Sequence, residues 1–408
     1  MPKYELAVVG AGLGGLSAAA IASKMNKKTI VLEPGTSVGG SLRSYEKNGF
    51  RFSPGPVLSF GFDREGIFQQ LSETLGITLA ASLCAPCYQV ALPDRRITIY
   101  ADRTETLDEL RREFPQEIDS IIRFYSDLRK QAVRISKSRI SAFFSNSRSA
   151  GGFIQSYDFS NEFKAFLDAQ AFYFFRQPAA SLALHSLLIV CDSIPSVADG
   201  GFGKVAAQLL DVLLRNQGEI RYEVLLSETG MSAHSLSTPE GMLEAGTILF
   251  NTDQGNPRSF ICVGLPEKAI PVGMLREVIV VPDYAHPEHF FTLSLSSKDD
   301  ETTAPRGMRA LTATFSDASE SASLESRMRQ IEGIMPFLAE YALFAEGHRP
   351  ASNRFSFTES TSLKTVKKID RMPVLYRSSE QSAYVLFDGA TTPAQTVAAA
   401  RSLVERIT

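Results

Sequence analysis

The chain has 408 residues and a formal net charge of -3, with 44% hydrophobic and 21% charged residues. This length is enough for two domains or one elaborated domain, and the composition is ordinary for a globular protein. The small net charge gives no reason to expect a nucleic acid or an anionic membrane surface as a partner. The longest apolar stretch, 179–191, is too short to span a bilayer.

Two features predict a cytoplasmic location. The first predicted strand begins at Tyr4, which leaves no residues before it for a targeting peptide. The four cysteines suit a reducing compartment. We therefore expect a cytoplasmic protein, with peripheral contact to a membrane as an open addition.

Two small groups of residues have metal-ligand or redox spacing. Cys84 and Cys87 form a C-x-x-C pair, but no second pair accompanies them and a strand-like run follows at once, so we interpret them as structural. His286 and His289 lie beside Pro287 in a loop-like segment, where we expect them to be solvated. We predict no metal site.

The first thirty-three residues contain the strongest motif. The apolar run Tyr4–Val9 leads into GAGLGG, which predicts a buried strand and a tight glycine turn, and a helical pattern and a second strand, Thr29–Leu32, follow. In a dinucleotide-binding βαβ unit such glycines permit the turn, admit a pyrophosphate and let the helix pack on the strand. A carboxylate about twenty residues on accepts hydrogen bonds from the ribose. The candidate cofactor-binding residues here are Gly10, Gly12, Leu13, Gly14, Gly15 and Glu33.

A second glycine segment follows the acid. Gly39 and Gly40 are followed by Arg43 and then by GFRFSPGP, which contains Gly55 and Pro56. With the opening unit, this pattern resembles the superfamily of flavin-binding amine oxidases, protoporphyrinogen oxidases and carotenoid desaturases. The resemblance implies that the glycine pair lies along the FAD pyrophosphate, with Arg43 supplying charge, and that the second loop lies near the isoalloxazine ring.

Two later segments resemble the same superfamily. Residues 199–223 predict a glycine-opened helix and a strand that continues through Val224. In the family the valine matching Val224 contacts the adenine, although an inward-facing strand residue is an equally natural interpretation. The C-terminal SAYVLFDGATTPAQTV predicts a strand, a turn and a helix. The resemblance implies that Asp388 binds the ribityl chain and that the helix N-terminus, with Thr396 and Val397, faces the flavin.

Ser53 stands where the family often has an aspartate, and three further positions depart from the family pattern. Ser41 stands where an arginine usually follows the glycine pair, and Phe387 and Ala394 stand where glycines are usual. Whether these residues weaken or abolish flavin binding is open at this point.

The region between the nucleotide-binding segments is rich in phenylalanine. It begins with a predicted hairpin and a helix for which Thr106 and Glu109 have the spacing of a capping box. The phenylalanines predict either a helical core or an apolar pocket or membrane-resting surface that could hold a long polyene. They are Phe143, Phe144, Phe153, Phe159, Phe163, Phe166, Phe172, Phe174 and Phe175.

These patterns together predict an α/β fold. A doubly wound, Rossmann-type FAD-binding domain would be assembled from residues 1–80, 195–265 and 355–408. A substrate domain of mixed β-sheet and helices would be inserted as residues 81–194 and 266–354.

The resemblance implies an FAD-dependent oxidoreductase of the phytoene desaturase-like type. Hydride would move between a hydrophobic polyene or isoprenoid substrate and flavin N5, while the protein positions the substrate. No histidine, lysine or carboxylate stands out as acid or base, so we predict no catalytic residue.

Two alternatives stay open. Amine oxidation and porphyrinogen oxidation are alternatives within the superfamily. A non-catalytic carrier of prenyl or lipid groups, similar to the Rab escort and GDP-dissociation inhibitor proteins, is an alternative of another class. The three departures fit such a carrier, whereas the intact glycines and Glu33 argue against it.

Overall fold

A computed structural model describes residues 3–136, 149–224, 226, 234–253, 259–316, 323–348, 366–369, 375–378, 383–388 and 392–407. For residues 132–136, 252–253, 366–368, 378 and 387–388 it describes the backbone only. None of the described helices combines the length and apolar character needed to cross a membrane.

The described strands form two large and two small sheets. In chain order they are β1 (Tyr4–Val9), β2 (Thr29–Leu32), β3 (Tyr45–Lys47), β4 (Phe50–Phe52), β5 (Leu58–Ser59), β6 (Ala81–Leu83), β7 (Tyr88–Ala91), β8 (Arg96–Ile99), β9 (Ser196–Ala198), β10 (Glu219–Arg221), β11 (Ser235–Thr238), β12 (Gly241–Asp253), β13 (Ser259–Pro266), β14 (Glu277–Val280), β15 (Phe291–Leu295), β16 (Met308–Phe315), β17 (Phe344–His348), β18 (Val366–Lys368), β19 (Leu375–Ser378) and β20 (Ala383–Asp388).

The described α-helices are named here by their residues. They are Leu13–Lys24, Ile67–Leu75, Arg103–Glu113, Ile118–Ser136, Ala150–Gln155, Asn161–Phe175, Leu184–Asp192, Gly201–Arg215, Leu324–Glu332, Leu338–Tyr341 and Pro393–Ile407. Short 3-10 helices span Gly40–Leu42, Ala179–Ser181, Glu267–Ala269 and Pro287–His289.

The first large sheet has the order β10-β2-β1-β12-β20-β19-β18, and β11 pairs with β12. Its first five strands are parallel, and the last two are added antiparallel. The helices Leu13–Lys24, Gly201–Arg215 and Pro393–Ile407 pack on one face, around Leu6, Val8 and other alternate strand residues. The opposite residues of the strands pack with the β11–β12 hairpin. This sheet confirms the predicted Rossmann-type α/β fold.

The second large sheet has the order β17-β13-β16-β15-β14-β7-β8 and is antiparallel except where β14 pairs with β7. Its faces bury separate cores because side chains alternate along a strand. Val278 and Val280 pack towards the helices Leu324–Glu332 and Leu338–Tyr341. Ile279 packs into the aromatic core on the other face. The sheet thus separates two helical layers.

The phenylalanine-rich segment belongs mainly to that aromatic core. Of the nine phenylalanines, Phe143 and Phe144 lie outside the described residues. Five are buried and the other two, Phe153 and Phe172, are partly buried against the same core. The helical-core interpretation therefore accounts for most of the described phenylalanines, while Phe174 also lines a cavity. They leave no exposed aromatic face for a membrane.

Two local predictions differ from the structure. The capping box is wrong: the helix begins earlier, at Arg103, and Asp102 caps it by accepting a hydrogen bond from the Thr104 amide at 2.7 Å. Thr106 and Glu109 instead accept from the amides of the preceding hairpin. The strand expected through Val224 ends at Arg221. A capping motif and an ordinary helical Thr and Glu have the same spacing, and only the chain's path distinguishes them.

One predicted segment boundary also differs. β13, which we placed in the nucleotide-binding segment up to residue 265, pairs with β16 and β17 in the second sheet. Its apolar run is typical of a buried strand in either sheet, so the pattern does not predict which sheet contains it. The division into two domains otherwise stays a prediction.

Candidate cofactor and substrate site

The opening strand and helix meet in a glycine turn at the carboxyl edge of the parallel sheet. Gly10 has a φ of 98°, and a Cβ atom on it would lie 2.4 Å from the backbone oxygen of Asn251. A Cβ atom on Gly15 would lie 2.2 Å from the backbone oxygen of Gly10. These separations are too short for real atoms, so strand, turn and helix pack this closely only with glycine at both positions.

The helix that follows this turn starts without a side-chain cap. Gly12 is its N-cap residue, and no side chain hydrogen-bonds to the first turn there. Such an N-terminus favours a phosphate group. A Cβ on Gly14 would lie 2.3 Å from Leu386 Cδ2 and 2.8 Å from Thr396 Cγ2. The last strand and the last helix of the chain therefore pack directly against the glycine turn.

Glu33 ties the glycine turn to the next loop. It is 8% exposed, and its two carboxylate oxygens accept hydrogen bonds from the Ala11 amide at 2.7 Å and the Gly35 amide at 2.8 Å. The Val224 amide donates to the Glu33 carbonyl at 3.1 Å, so Val224 lies beside the acid although it is not in a strand. A carboxylate has about four acceptor positions, so capacity for ribose hydroxyls remains.

The second glycine segment lies on the first. The Gly39 amide donates to the Ala11 carbonyl at 2.8 Å, and a Cβ on Gly40 would lie 3.4 Å from Gly12 Cα. Both glycines have positive φ, 107° and 53°. Arg43 is exposed and donates to the Ser37 hydroxyl at 3.3 Å. The predicted phosphate-binding segments therefore meet at one place.

The last helix begins with a capping box that its sequence encodes. The Thr392 hydroxyl accepts from the Gln395 amide at 3.1 Å, and the Gln395 side-chain oxygen accepts from the Thr392 amide at 3.3 Å. Pro393 occupies the first helical position, as is common. Thr396 and Val397 are buried behind this end. The Thr396 hydroxyl has no hydrogen-bond partner among the described residues.

Ala394 in this helix and Phe387 in the preceding strand are the two departures from the family pattern near the C-terminus. Ala394 is buried, and a Cβ on Gly61 would lie 3.3 Å from the Ala394 Cβ. Asp388 ends β20 and pairs in register with Asp253. The side chains of Phe387 and Asp388 lie outside the described residues, so the predicted contact of Asp388 with a ribityl chain stays a prediction.

One cavity, with about 830 Å³ of empty space including its open mouth, adjoins these segments. Predicted cofactor residues and residues of the second sheet and the aromatic core line it together. The predicted residues in its wall are Leu13, Gly55, Pro56 and Thr396, with Ser41 beside them. The wall from the rest of the chain includes Tyr173, Phe174, Arg176, Glu277, Phe290 and Thr292.

Glu277 is a functional candidate that the sequence reasoning missed. It is the first residue of β14, it is 2% exposed, and it lines the cavity. Burial raises the pKa of its carboxyl to about 7, while Ser294, Tyr173 and Arg276 pull it downward. A buried acid with a perturbed pKa in a cavity is a common feature of functional sites. The signal in the sequence was a lone charge at the start of the apolar run EVIVV.

Tyr173 faces the same cavity. Burial, and secondarily the charge of Glu277, raises the pKa of its phenol well above the ordinary value. The two side chains interact with each other, but neither the Tyr173 hydroxyl nor Glu277 Oε2 has a hydrogen-bond partner with full geometry among the described residues. A buried polar atom without a partner is costly, so each of these two is a candidate ligand contact.

The histidine and cysteine groups do not line this cavity. His286, Glu288 and His289 are exposed, with their potential ligand atoms within 4.8 Å of one another. His286 Nδ1 lies 3.2 Å from a Glu288 carboxylate oxygen. The Cys87 thiol donates to the Cys84 carbonyl at 3.0 Å, and burial raises its pKa to about 12. Such a thiol is a poor nucleophile, in keeping with a structural role.

Comparisons with known proteins agree with this geometry. A family model described as an NAD(P)-binding Rossmann-like domain matches residues 8–74. The chain is 24% identical over 249 residues to chloroplastic prolycopene isomerase of Arabidopsis thaliana, covering 54% of this chain and 42% of that protein. It is 24% identical over 277 residues to a 4,4'-diapophytoene desaturase of Methylomonas sp, covering 61% and 53%. It is 33% identical over 137 residues to all-trans-retinol 13,14-reductase of Rattus norvegicus, covering 31% and 22%. The chain thus matches about half or less of the length of each of these relatives.

Solved structures share the fold over nearly the whole chain. An oxidoreductase from Methanosarcina mazei has a TM-score of 0.66 at 15% identity, covering 98% of this chain and 100% of that chain. Putrescine oxidase bound to putrescine has a TM-score of 0.62 at 14% identity, covering 99% and 98%. A Rab GDI from Plasmodium falciparum has a TM-score of 0.62 at 11% identity, covering 99% and 97%. With the sequence relatives and the glycine turn, this shared fold makes the chain similar to the superfamily of FAD-dependent amine oxidases and carotenoid desaturases.

Proposed function

We propose that the chain binds FAD and is an oxidoreductase that acts on an apolar substrate. The observation that carries this proposal is the shared cavity, because predicted cofactor residues form one part of its wall and the aromatic core forms another. A substrate enclosed there would lie against the bound cofactor.

The residues present fit an FAD molecule at both ends. The uncapped helix N-terminus after Gly12 suits the pyrophosphate, and Glu33 retains acceptor capacity for the ribose. The unpartnered hydroxyl of Thr396 in the cavity wall suits a polar atom of the flavin. When bound, FAD supplies hydride chemistry at its N5 position.

The chain's own contribution is enclosure and positioning. Leu58, Phe174 and Phe290 give the cavity an apolar wall that excludes water and holds a substrate by dispersion and burial. Holding a reacting carbon in a fixed orientation is itself a large part of catalysis. The buried Glu277 is the titratable group in this wall with a pKa near neutrality.

The finer proposal concerns the substrate class. We propose a polyene or isoprenoid, since the relatives include a prolycopene isomerase, a diapophytoene desaturase and a retinol reductase. Amine oxidation is the second candidate, favoured by the shared fold with putrescine oxidase. A flavin-free carrier is the third, favoured by the shared fold with the Rab GDI.

Absorbance and turnover discriminate these candidates. We expect the purified protein to carry a flavin spectrum or to acquire one when mixed with FAD. Absence of both would contradict the proposal and favour a carrier. Turnover with an artificial electron acceptor on carotenoid, retinoid, porphyrinogen and amine compounds would then identify the substrate class.

Glu33→Ala tests the cofactor assignment. The variant loses the charged hydrogen bonds to the ribose and also the support that Glu33 gives to the Ala11 and Gly35 amides. Hydrogen bonds to a charged group contribute about 1.5 to 3 kcal/mol, so we expect FAD to dissociate about ten- to a hundredfold more readily. The measurement is the dissociation constant of FAD by fluorescence titration.

A surface acid supplies the control for this variant. Glu46 is largely exposed and lies on β3, so Glu46→Ala should leave FAD affinity unchanged. Thermal unfolding of each apoprotein measures how much stability the variant loses without any cofactor present. The remaining effect on FAD affinity is then assigned to lost cofactor contacts. Unaltered FAD affinity in Glu33→Ala would show that Glu33 does not contact the cofactor.

Cytoplasmic location with peripheral membrane contact stays a prediction. The described phenylalanines of the 139–177 segment pack inward, so we place any such contact outside this cluster. Co-sedimentation of the purified protein with neutral phospholipid vesicles measures it directly. Complete recovery in the supernatant would contradict membrane contact.

A further inference from the structure

One part of the cavity wall carries a buried acid and a buried phenol. Glu277, at the start of β14, and Tyr173, near the end of the helix Asn161–Phe175, both line the cavity. Their side chains are deeply buried, at 2% and 9% exposure. Phe174 and Phe290 adjoin them in the same wall. Strand β14 and this helix thus bring an acid and a phenol to one place.

Both groups present polar atoms that the described chain does not satisfy. Glu277 and Tyr173 influence each other's pKa, but Glu277 Oε2 and the Tyr173 hydroxyl have no hydrogen-bond partner with full geometry among the described residues. The neighbouring Arg276 is engaged elsewhere, since its Nε donates to the Leu295 carbonyl at 3.1 Å. A buried polar group without a partner costs free energy, so a ligand that supplies the partner is favoured. The cavity is the place from which such a partner would come.

We infer that Glu277 and Tyr173 form a polar subsite for a substrate that carries one hydrogen-bond-donating group, a hydroxyl or an amine, on an otherwise apolar body. The inference deepens the proposed function, and rests on it, by narrowing the substrate class of the same cavity. A plain hydrocarbon would give neither group a further hydrogen bond. A site built to hydrogen-bond a substrate group discriminates strongly against analogues that lack it.

The experiment uses three probes of similar shape: toluene, benzyl alcohol and benzylamine. Their affinities for the purified full-length protein, loaded with FAD, are measured by calorimetry at pH 8. We expect benzyl alcohol, benzylamine or both to bind at least about tenfold more tightly than toluene, because one charge-assisted hydrogen bond contributes about that factor. The two polar probes distinguish a hydroxyl-bearing from an amine-bearing substrate.

Variants assign the preference to the subsite. Glu277→Leu removes the acceptor while keeping an apolar side chain of similar volume, and Tyr173→Phe removes only the hydroxyl. Each should reduce the advantage of the preferred polar probe over toluene at least about threefold. Glu277→Gln removes the charge alone, so an amine should lose its advantage while an alcohol keeps it. Glu267→Gln, at a carboxylate that pairs with Arg309 outside the cavity wall, is the matched control and should change none of the affinities.

The outcomes are decisive in either direction. Equal binding of the three probes, no binding of either polar probe, or a preference that survives in both Glu277→Leu and Tyr173→Phe would overturn the inference. If Glu277→Leu does not fold, Glu277→Gln and Tyr173→Phe carry the same test. FAD uptake is measured separately by absorbance, so a protein that selects the polar probes but takes up no flavin would refute the oxidoreductase and leave the subsite standing.

Discussion

Gly10→Ala is expected to lower the free energy of unfolding by about 3 to 5 kcal/mol and to abolish FAD retention, because two costs add at this position. The backbone has a φ of 98°, which L-residues with a Cβ rarely adopt, and the new Cβ would lie 2.4 Å from the Asn251 backbone oxygen. Relief requires β1 and β12 to move apart, and they are neighbouring strands in the centre of the sheet. Urea unfolding of the apoprotein measures the first effect and flavin absorbance the second.

Substitutions at two other glycines separate the cost of backbone strain from the cost of the steric clash. Gly273 has a φ of 79° but open space around its Cβ position, so Gly273→Ala should cost only the backbone strain, about 1 to 2 kcal/mol. Gly152 lies within a helix with open space and ordinary φ, so Gly152→Ala should stabilise the protein slightly, by about 0.4 to 1 kcal/mol. A Gly10→Ala protein that is only as destabilised as Gly273→Ala would show that β12 does not constrain the turn. Loss of soluble Gly10→Ala protein beside normal yields of the other two supports the prediction.

Glu277→Gln is expected to change how stability depends on pH. Burial raises the pKa of Glu277 from an ordinary 4.5 to about 7, so between these values the folded chain keeps a proton that the unfolded chain has lost. Wild-type stability should therefore fall as the pH rises from about 4.5 to about 7 and stay lower above that. The total contribution is on the order of 3 kcal/mol, and the glutamine variant lacks it. The variant should thus gain stability relative to the wild type as the pH rises.

The measurement is the difference in unfolding free energy between variant and wild type at pH 4.5 and at pH 8, obtained with apoprotein in urea. Taking the difference removes the titration of every other group that the two proteins share. Glu267→Gln removes a half-exposed carboxylate that pairs with Arg309, so its relative stability should stay constant or fall over the same range. A pH-independent difference for Glu277→Gln would mean that folding does not raise the pKa of Glu277 above its ordinary value.

The fold was predictable where the signals are local. Two apolar runs joined by a glycine turn and a helix predict a βαβ unit, in which the two strands pair in parallel. The structure shows this pairing between β1 (Tyr4–Val9) and β2 (Thr29–Leu32). The hairpin of β7 and β8 also follows from alternation and a short turn. The strand Ser259–Pro266 shows the limit, since an apolar run predicts a buried strand without saying which sheet buries it.

The candidate site divides in the same way. The glycines and Glu33 lie within one short unit, and a position that only glycine can occupy is visible in the sequence itself. Glu277 and Tyr173 are about a hundred residues apart, and they share a wall only because β14 and the helix Asn161–Phe175 pack together. A glutamate at the start of a strand and a tyrosine in an aromatic helix are ordinary by themselves.

The sequence by itself determined that this chain builds a Rossmann-type unit, because the glycines of its first turn mark it in the sequence. Gly10, with its positive φ, and Gly15 both lie too close to other backbone atoms to carry a Cβ, so only glycine fits there. The resemblance already implied that the last helix closes against that turn, and the structure places it there. Only the tertiary structure decided that a buried acid faces the adjoining cavity. Burial and desolvation depend on what surrounds a side chain in space, and residue type and spacing do not record those surroundings.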